Sequence, residues 1–475
     1  MRRLAHGALS VGISLFLGCG REQATVSVAP VPAPPGAKNV LLIVVDDLNT
    51  ALSAYGHPVV KTPNVEELAR RGVLFERAYC QYPLCNPSRA SFLSGRRPRT
   101  TRIYEQKTRP DAHLPAAAFL PDALHRFGYW TVRAGKIFHD ADFEKAFAWD
   151  YYAKLNYPVP PPGQPVRPDP QAPAARVEPG GEAGLGLLLE PRPVGPKGRD
   201  SLRDKRVVEH VSHQLKRARN KRLLFFFAVA FHRPHLPFEA PAGFFKMYPP
   251  ESIELPPAAP ADAPAVPEAA LRGRRFAPPM TDAEARRAIA GYYASVSYMD
   301  SQLGALMKTF DRLDVWRDTV VVFTSDHGFH LGEHGLWGKL SFYEEVLRVP
   351  LVVVAPGVAG GQRVARPVEL VDLYPTIFEL AGLPQPEGLE GRSLAPLLAD
   401  PQAPWERPAG SVLALEGLGR RLARSVTDGR FRYSEWGSSR EAELYDLAAD
   451  PRQLRNLAQD PAFAAERKRL AALLP

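Results

Sequence analysis

The chain has 475 residues and a formal net charge of +9, and its length suffices for one large domain with a well-packed core plus a smaller one. Its apolar content of 45% and charged content of 23% are typical of a globular protein and exclude a disordered chain. The positive charge favours anionic partners such as an acidic polysaccharide or membrane, but without a DNA- or RNA-binding motif we do not expect nucleic acid.

Residues 1–19 have the pattern of an export signal. Arg2 and Arg3 precede an apolar run from about residue 8 to 17, which is too short to span a bilayer. The stretch FLGC, ending at Cys19, resembles a bacterial lipoprotein signal, and an ordinary secretory peptide is the alternative. We therefore expect export to the periplasm or cell surface, lipidation at Cys19 as the only membrane attachment, and a flexible linker over 20–38.

Unbroken apolar runs alternate with helical patterns from residue 39 onward, which predicts an α/β domain over 39–404. Such runs are typical of strands buried on both faces of a mostly parallel sheet flanked by helices. The predicted strands cover residues 39–45, 129–134, 222–231, 319–324 and 349–355.

Helix signals lie between these runs. A helix is predicted from Pro63 to Gly72, and the pair Thr281 and Glu284 predicts a capping box at the start of a long helix that ends near Arg312. Two proline-rich segments, 157–199 and 249–280, are predicted to lack regular structure. Residues 405–475 contain a hairpin signal at residues 428–429, which predicts a smaller C-terminal antiparallel-sheet subdomain with a final helix.

Polar side chains follow four of the predicted strands, where ligands bind in doubly wound sheets. They are Asp46 and Asp47 after the first strand, Lys136 and His139 after the second, His232 and His235 after the third, and Asp326 and His327 after the fourth. Each alone is compatible with a structural role such as helix capping. Together they predict a metal site, because three carboxylates supply the oxygen ligands that Ca²⁺ or Mg²⁺ prefers.

Cys85 lies in the stretch PLCNPSRASFLSGRRP, at the expected start of a helix that ends near Gly95. Backbone N–H groups at a helix start favour an anion, and Arg89, one turn later, can help to hold it. A disulfide with Cys80 is the alternative explanation of this cysteine.

Residues 85–98, CNPSRASFLSGRRP, resemble the signature of the type I sulfatase family. In that family a formylglycine-generating enzyme oxidises the cysteine to formylglycine, directed by a proline and an arginine that correspond to Pro87 and Arg89. The hydrated aldehyde carries two hydroxyls, of which one attacks sulfur and the other later expels sulfate. The resemblance implies an alkaline-phosphatase-like fold and a sulfate ester substrate.

Further segments resemble the iduronate-2-sulfatase branch of the family, among them GKIFH at 135–139, HRPHLPF at 232–238 and TSDHGFHLGEHGLWGK at 324–339. The match implies that Asp46, Asp47, residue 85, Asp326 and His327 bind one Ca²⁺, with Mg²⁺ as the alternative. It also implies that Lys136, His139, His235 and Lys339 hold sulfate and move protons: His139 as base, and His235 or Lys339 as acid.

The predicted substrate is the 2-O-sulfate of a uronic acid in glycosaminoglycans or related sulfated polysaccharides. Two alternatives stay open: a hydrolase of other sulfate, phosphonate or phosphate esters on the same fold, and a non-catalytic glycan-binding lipoprotein. Phe329 departs from the branch, which has tryptophan there near the sugar-carboxylate subsite.

Overall fold

The computed structural model describes residues 31–153, 189–194, 202–276, 280–415, 421–437 and 441–475. The predicted export signal, most of the predicted linker and most of the segment 157–199 lie outside these residues. Within the described part of the chain, no helix combines the length and apolar character needed to cross a bilayer.

A central sheet of eight strands organises the large domain, in the order β12-β2-β11-β8-β1-β6-β3-β4. The strands among the described residues are β1 (Asn39–Val45), β2 (Val73–Tyr79), β3 (Trp130–Ala134), β4 (Tyr151–Tyr152), β5 (Arg192–Val194), β6 (Phe225–Phe231), β7 (Glu239–Pro241), β8 (Thr319–Ser325), β9 (His330–Leu331), β10 (Trp337–Gly338), β11 (Arg348–Val354), β12 (Gln362–Glu369), β13 (Ala409–Ala414), β14 (Leu422–Thr427), β15 (Phe431–Glu435) and β16 (Ala442–Asp446). All five predicted strands of this sheet are present. Strand β11 runs antiparallel to β2 and β8, whereas β1 pairs in parallel with β6 and β8.

Helices cover both faces of the sheet. They are α1 (Pro63–Arg71), α2 (Cys85–Ser94), α3 (Pro98–Thr101), α4 (Leu120–Arg126), α5 (Leu202–Asn220), α6 (Ala242–Phe245), α7 (Asp282–Arg312), α8 (Glu344–Leu347), α9 (Leu373–Leu380), α10 (Ala395–Ala399) and α11 (Ala464–Ala471). Alternate residues of β1 enter two separate apolar cores, Val40 and Leu42 on one face, Leu41 and Ile43 on the other. This two-sided burial explains the unbroken apolar runs.

The predicted helix boundaries are confirmed. Helix α1 begins at Pro63 and is followed by Gly72 at its C-cap. At the start of α7, the Glu284 amide donates to Thr281 Oγ1 at 3.3 Å and the Thr281 amide donates to Glu284 Oε2 at 2.7 Å. The capping box therefore forms as its two residues predict.

The C-terminal part forms a four-stranded antiparallel sheet in the order β13-β14-β15-β16, followed by α11. The predicted hairpin joins β14 to β15, and Gly429 has a φ of 95° at its turn. Strand β13 contacts the large domain, because the Val412 amide donates to the Gln81 carbonyl at 3.0 Å. The small sheet is thus anchored immediately before α2.

The two proline-rich segments were predicted to lack regular structure, and for their described parts this is wrong. Strand β5, within 157–199, pairs in parallel with β7, and Pro193 fits because the pair is a separate two-stranded sheet. The segment 249–280 contains 3₁₀ turns at Pro250–Ser252 and Glu268–Phe276. Proline at the first position of such a turn loses no hydrogen bond.

Candidate active site

Four parallel strands end at the same edge of the central sheet and deliver the predicted polar residues to one place. Strands β8, β1, β6 and β3 are consecutive neighbours that run in parallel. Their carboxyl ends lead into Asp326 and His327, Asp46 and Asp47, His232 and His235, and Lys136 and His139. The edge predicted from the sequence is therefore a single site.

Cys85 is the first residue of α2 and is completely buried. Its Sγ lies 3.1 Å from Lys339 Nζ, 3.3 Å from His327 Nε2 and 3.9 Å from Asp47 Oδ1. Burial would raise the pKa of this thiol, but Lys136, Lys339 and His327 together hold it well below its usual value. The site thus favours negative charge at residue 85.

The start of α2 is buried together with the rest of the helix. Both cysteines of the described chain are free thiols, so the alternative of a Cys80–Cys85 disulfide is not formed. The Cys80 thiol donates to the Val346 carbonyl at 3.8 Å, and burial raises its pKa. The two neighbouring cysteines therefore have opposite electrostatic environments.

Arg89, one turn into α2, joins two of the predicted metal ligands. Its Nε donates to Asp326 Oδ2 at 2.8 Å and its Nη2 donates to Asp46 Oδ1 at 2.9 Å, with all three side chains fully buried. A planar guanidinium holds two carboxylates in a fixed relative orientation. Nη1 also contacts the Lys136 carbonyl, which ties the loop after β3 to α2.

Lys136 and Lys339 extend into the site from different loops, and each contacts a carboxylate. Lys136 Nζ lies 2.8 Å from Asp46 Oδ2, and Lys339 Nζ lies 2.8 Å from Asp47 Oδ1. Burial would lower the pKa of both lysines, but the carboxylates raise it above the usual value. Both ammonium groups are therefore permanent positive charges beside residue 85.

His139 and His235 flank residue 85 in different environments. Burial lowers the pKa of His139 against the opposing effect of Cys85, and His139 Nδ1 has no hydrogen-bond partner among the described residues. His235 Nε2 lies 3.8 Å from Asp47 Oδ2. Burial would lower the pKa of His235, but Asp47 and Asp46 raise it above its usual value. One histidine is thus suited to accept a proton and the other to donate one.

We call these residues the Cys85 cluster. Its members are Cys85, the carboxylates Asp46, Asp47 and Asp326, the cations Arg89, Lys136 and Lys339, and the histidines His139, His235 and His327. Sequence reasoning assigned no role to His232 and did not single out Ser88. His232 Nδ1 lies 3.9 Å from Asp46 Oδ2, and Ser88 Oγ donates to the Asp326 carbonyl at 2.5 Å. In the sequence, a role for these two residues is indicated only by their positions within HRPH at 232–235 and CNPSR at 85–89.

Phe329 does not line an open subsite. Its side chain is 1% exposed and packs against Tyr292 and Phe238, with ring centroids 5.8 and 5.9 Å away. Tyr292 in turn donates from its hydroxyl to the Asp47 carbonyl at 2.9 Å, so the ring packs behind the site, and its proximity to a sugar-carboxylate subsite stays a prediction.

The donor set of the cluster fits a hard metal ion. The ligand atoms of Asp46, Cys85 and Asp326 lie within 4.8 Å of one another, as do those of Asp47, Cys85 and His327. Cys85 belongs to both groups, so the two groups of predicted ligands meet at residue 85. Three buried carboxylates give the oxygen-rich surroundings in which Ca²⁺ or Mg²⁺ binds.

Comparisons with known proteins place the chain in a family. A family model described as Sulfatase matches residues 38–383, and one described as N-sulphoglucosamine sulphohydrolase, C-terminal, matches residues 332–474. The chain is 35% identical over 391 residues to iduronate 2-sulfatase of Mus musculus, covering 74% of this chain and 70% of the mouse protein.

Solved structures share the fold. A phosphonate monoester hydrolase from Silicibacter pomeroyi aligns over 92% of this chain and 94% of its own, with a TM-score of 0.75 and 24% identity. A 2-O GAG sulfatase aligns over 92% of this chain and 91% of its own, with a TM-score of 0.68 and 25% identity. The predicted alkaline-phosphatase-like fold is confirmed, and the chain belongs to the sulfatase family as a sulfuric ester hydrolase similar to iduronate-2-sulfatase.

Proposed function

We propose that this sulfatase removes the 2-O-sulfate of uronic acid residues, iduronate among them, in glycosaminoglycans or related polysaccharides, with formylglycine made from Cys85 as nucleophile. The carrying observation is the convergence of carboxylates, lysines and histidines on the Cys85 Sγ atom. The uronate assignment is supported by the likeness to mouse iduronate 2-sulfatase and to a 2-O GAG sulfatase.

Residue 85 becomes chemically competent only after oxidation by a formylglycine-generating enzyme, whose hydrated product carries two hydroxyl groups. Asp46, Asp47, Asp326 and His327 would hold Ca²⁺ together with residue 85, and the bound ion would lower the pKa of a hydroxyl there. We further propose that the N-terminal segment exports the enzyme and anchors it at Cys19.

Lys136 and Lys339 hold the sulfate oxygens in this proposal. Their ammonium groups lie on separate loops, 2.8 Å from Asp46 and Asp47 respectively. Charge that develops on the oxygens during sulfur–oxygen cleavage would therefore meet two fixed positive charges in a water-poor site. The same charges orient the ester so that its sulfur faces residue 85.

Two histidines divide the proton transfers. His139, with its unpartnered Nδ1 and lowered pKa, takes the proton of the second hydroxyl of residue 85 as sulfate is expelled. His235 donates a proton to the leaving sugar oxygen, because its Nε2 lies in the site, 3.8 Å from Asp47 Oδ2, and the nearby carboxylates raise the pKa of its ring. A sugar alkoxide is a poor leaving group, so this donation matters most for saccharide substrates.

A substrate panel tests the proposal. One preparation, made with a formylglycine-generating enzyme, is assayed on a disaccharide 2-O-sulfated on its uronate, its 6-O-sulfated isomer, an aryl sulfate and an aryl phosphonate monoester. We expect kcat/KM for the 2-O-sulfate to exceed that of the isomer by about 10²-fold or more. Preference for the isomer would refute uronate specificity, and faster phosphonate cleavage would favour the phosphonate alternative. No turnover despite confirmed formylglycine would favour the glycan-binding lipoprotein.

A further inference from the structure

The loop after β6 carries His235, and the carboxylate of Asp204 in α5 accepts hydrogen bonds from the backbone of this loop. Asp204 Oδ1 accepts a hydrogen bond from the His232 amide at 2.8 Å, and Oδ2 accepts one from the Arg233 amide at 3.1 Å. Asp204 is 1% exposed. A buried carboxylate with two amide donors fixes the first two residues of the loop, because leaving either donor unpaired is costly.

The Arg233 side chain forms the next contact in this loop, with the backbone of His235. This side chain is 2% exposed. Nη1 donates to the His235 carbonyl at 3.0 Å, and Nη2 donates to Glu239 Oε2 at 2.6 Å. A single planar group therefore links the backbone of His235 to the first residue of β7.

The His235 ring is oriented by contacts at both ends. Nδ1 lies 2.9 Å from the Leu236 carbonyl, so it carries the hydrogen of that bond and directs Nε2 toward Asp47. The His235 amide also donates to the His232 carbonyl at 2.9 Å. Both carbonyl and amide of residue 235 are thus fixed, and the position of Nε2 follows from the backbone.

We infer that Arg233, together with Glu239, is a positioning residue for the proton donor of the sulfatase reaction. Arg233 bonds to the His235 carbonyl and acts on the reaction only through the placement of Nε2. This inference rests on the proposed role of His235 as acid. It goes beyond that role because it assigns a function to the buried Arg233–Glu239 ion pair, which bonds to the backbone of His235.

Leaving-group dependence separates positioning from mere stability. An aryl sulfate releases a stable phenolate and needs little proton donation, whereas a sugar sulfate releases an alkoxide and needs it fully. A displaced His235 should therefore slow the sugar ester much more than the aryl ester. Loss of folded protein would slow both equally.

The experiment measures kcat and KM of Arg233→Lys and Arg233→Met on both esters. For Arg233→Met we expect kcat on the sugar sulfate to fall about tenfold or more, kcat on the aryl sulfate to fall less than about threefold, and both KM values to stay within about twofold. Arg233→Lys should recover part of the loss, because its ammonium can reach one of the two acceptors. Equal losses on both esters would overturn the inference.

Two further variants keep the result interpretable. The double variant Arg233→Met, Glu239→Gln removes both charges. It therefore leaves no buried unpaired carboxylate if the single variant fails to fold, and the same dependence on the ester is expected.

Arg219→Lys is the matched control, because Arg219 also pairs with a carboxylate, Asp318 at 2.7 Å, at the other end of α5. We expect it to leave both kcat values within about twofold. A selective loss there would contradict the inference.

His235→Gln separates this inference from the proposed function. If His235 is the acid, its removal should lower kcat on the sugar ester by about 10²-fold or more, with a much smaller loss on the aryl ester. If His235→Gln slows both esters equally, the proposed acid role is wrong. If His235→Gln is selective and the Arg233 variants are not, only the positioning role is wrong.

Discussion

The Cys85 cluster and a second buried cluster around Glu443 both enclose carboxylates, but the surrounding donors differ. We call Glu443, Tyr343, Tyr445 and Trp436 the Glu443 cluster. Glu443 accepts hydrogen bonds from Tyr445 at 2.7 Å, Trp436 at 2.6 Å and Tyr343 at 2.9 Å. These donors are neutral, whereas the carboxylates of the Cys85 cluster contact lysine, arginine and histidine side chains.

The two sets of donors suit the two clusters to different roles, one structural and one in binding and catalysis. Neutral donors satisfy Glu443, and burial raises its pKa despite those bonds, as in a group that serves to hold two parts together. Tyr343 precedes α8, Glu443 and Tyr445 lie in β16, and Trp436 directly follows β15, so the cluster joins α8 to the C-terminal sheet. The Cys85 cluster instead concentrates charges that a metal ion and a sulfate group can engage. The comparison predicts that changes in the first cluster affect activity and changes in the second affect stability.

Replacing Cys85 is expected to have the largest effect. Cys85→Ala removes the precursor of the nucleophile, so turnover of sulfate esters should fall by at least about 10⁴-fold. Because only one small side chain is shortened, the free energy of unfolding should change by less than about 2 kcal/mol. Steady-state assays and urea unfolding measure the two quantities. Cys80→Ala is the matched control, and activity retained in Cys85→Ala would contradict the mechanism.

Lys136→Met tests the cations of the Cys85 cluster. Without the ammonium group beside Asp46, charge on the sulfate oxygens loses one stabilising contact, and we expect kcat/KM to fall by about 10²-fold or more. Lys145→Met removes an exposed lysine that pairs with Asp142 on the same loop, and it should leave kcat/KM unchanged. An equal loss in the two variants would show that charge in general, rather than this site, is responsible.

Calcium removal should affect stability as well as activity. An ion that binds only the folded chain stabilises it by about 2.7 kcal/mol at a hundredfold excess over Kd, so chelation should lower Tm and added Ca²⁺ should restore it. In Asp326→Asn the shift should shrink, because one carboxylate ligand is gone. A Tm that changes with neither chelator nor added Ca²⁺ would argue against a metal at this site. If Mg²⁺ but not Ca²⁺ restores the Tm, the bound ion is Mg²⁺.

Glu443→Gln tests the Glu443 cluster and should have the smallest effect on catalysis. A glutamine amide nitrogen would face a donor in place of an acceptor oxygen, which should lower the free energy of unfolding by about 1–3 kcal/mol. We expect kcat to stay within about twofold of the unmodified enzyme. If Glu443→Gln lost as much activity as Lys136→Met at unchanged stability, the claim that the Glu443 cluster serves stability alone would be wrong.

The sequence predicted those parts of the molecule that have a local signal. The site residues that directly follow buried strands, such as Asp46 and Asp326, could be found because the carboxyl ends of parallel strands meet. Lys339 lies on a loop beyond β10, and only the resemblance to sulfatases identified it. Strand β2 was missed because Glu76 and Arg77 interrupt its apolar pattern.

Other features depend on tertiary contacts that no local pattern encodes. The antiparallel direction of β11 is set by its neighbours in the sheet. The complete burial of Cys85 follows from the packing of α2 against the sheet edge. Arg233 and Glu239 are six residues apart in a proline-rich stretch, and only the folded loop joins them.

Mass spectrometry of residue 85 tests the central claim most directly. Trypsin should release residues 78–89, AYCQYPLCNPSR, from protein produced with a formylglycine-generating enzyme. We predict a peptide about 18 Da lighter than the dithiol form, with the loss at residue 85, since conversion of CH₂SH to CHO leaves the ordinary oxidation ladder of cysteine. Cys80 in the same peptide should remain a thiol. An unmodified Cys85 in protein that still hydrolyses sulfate esters would contradict the account.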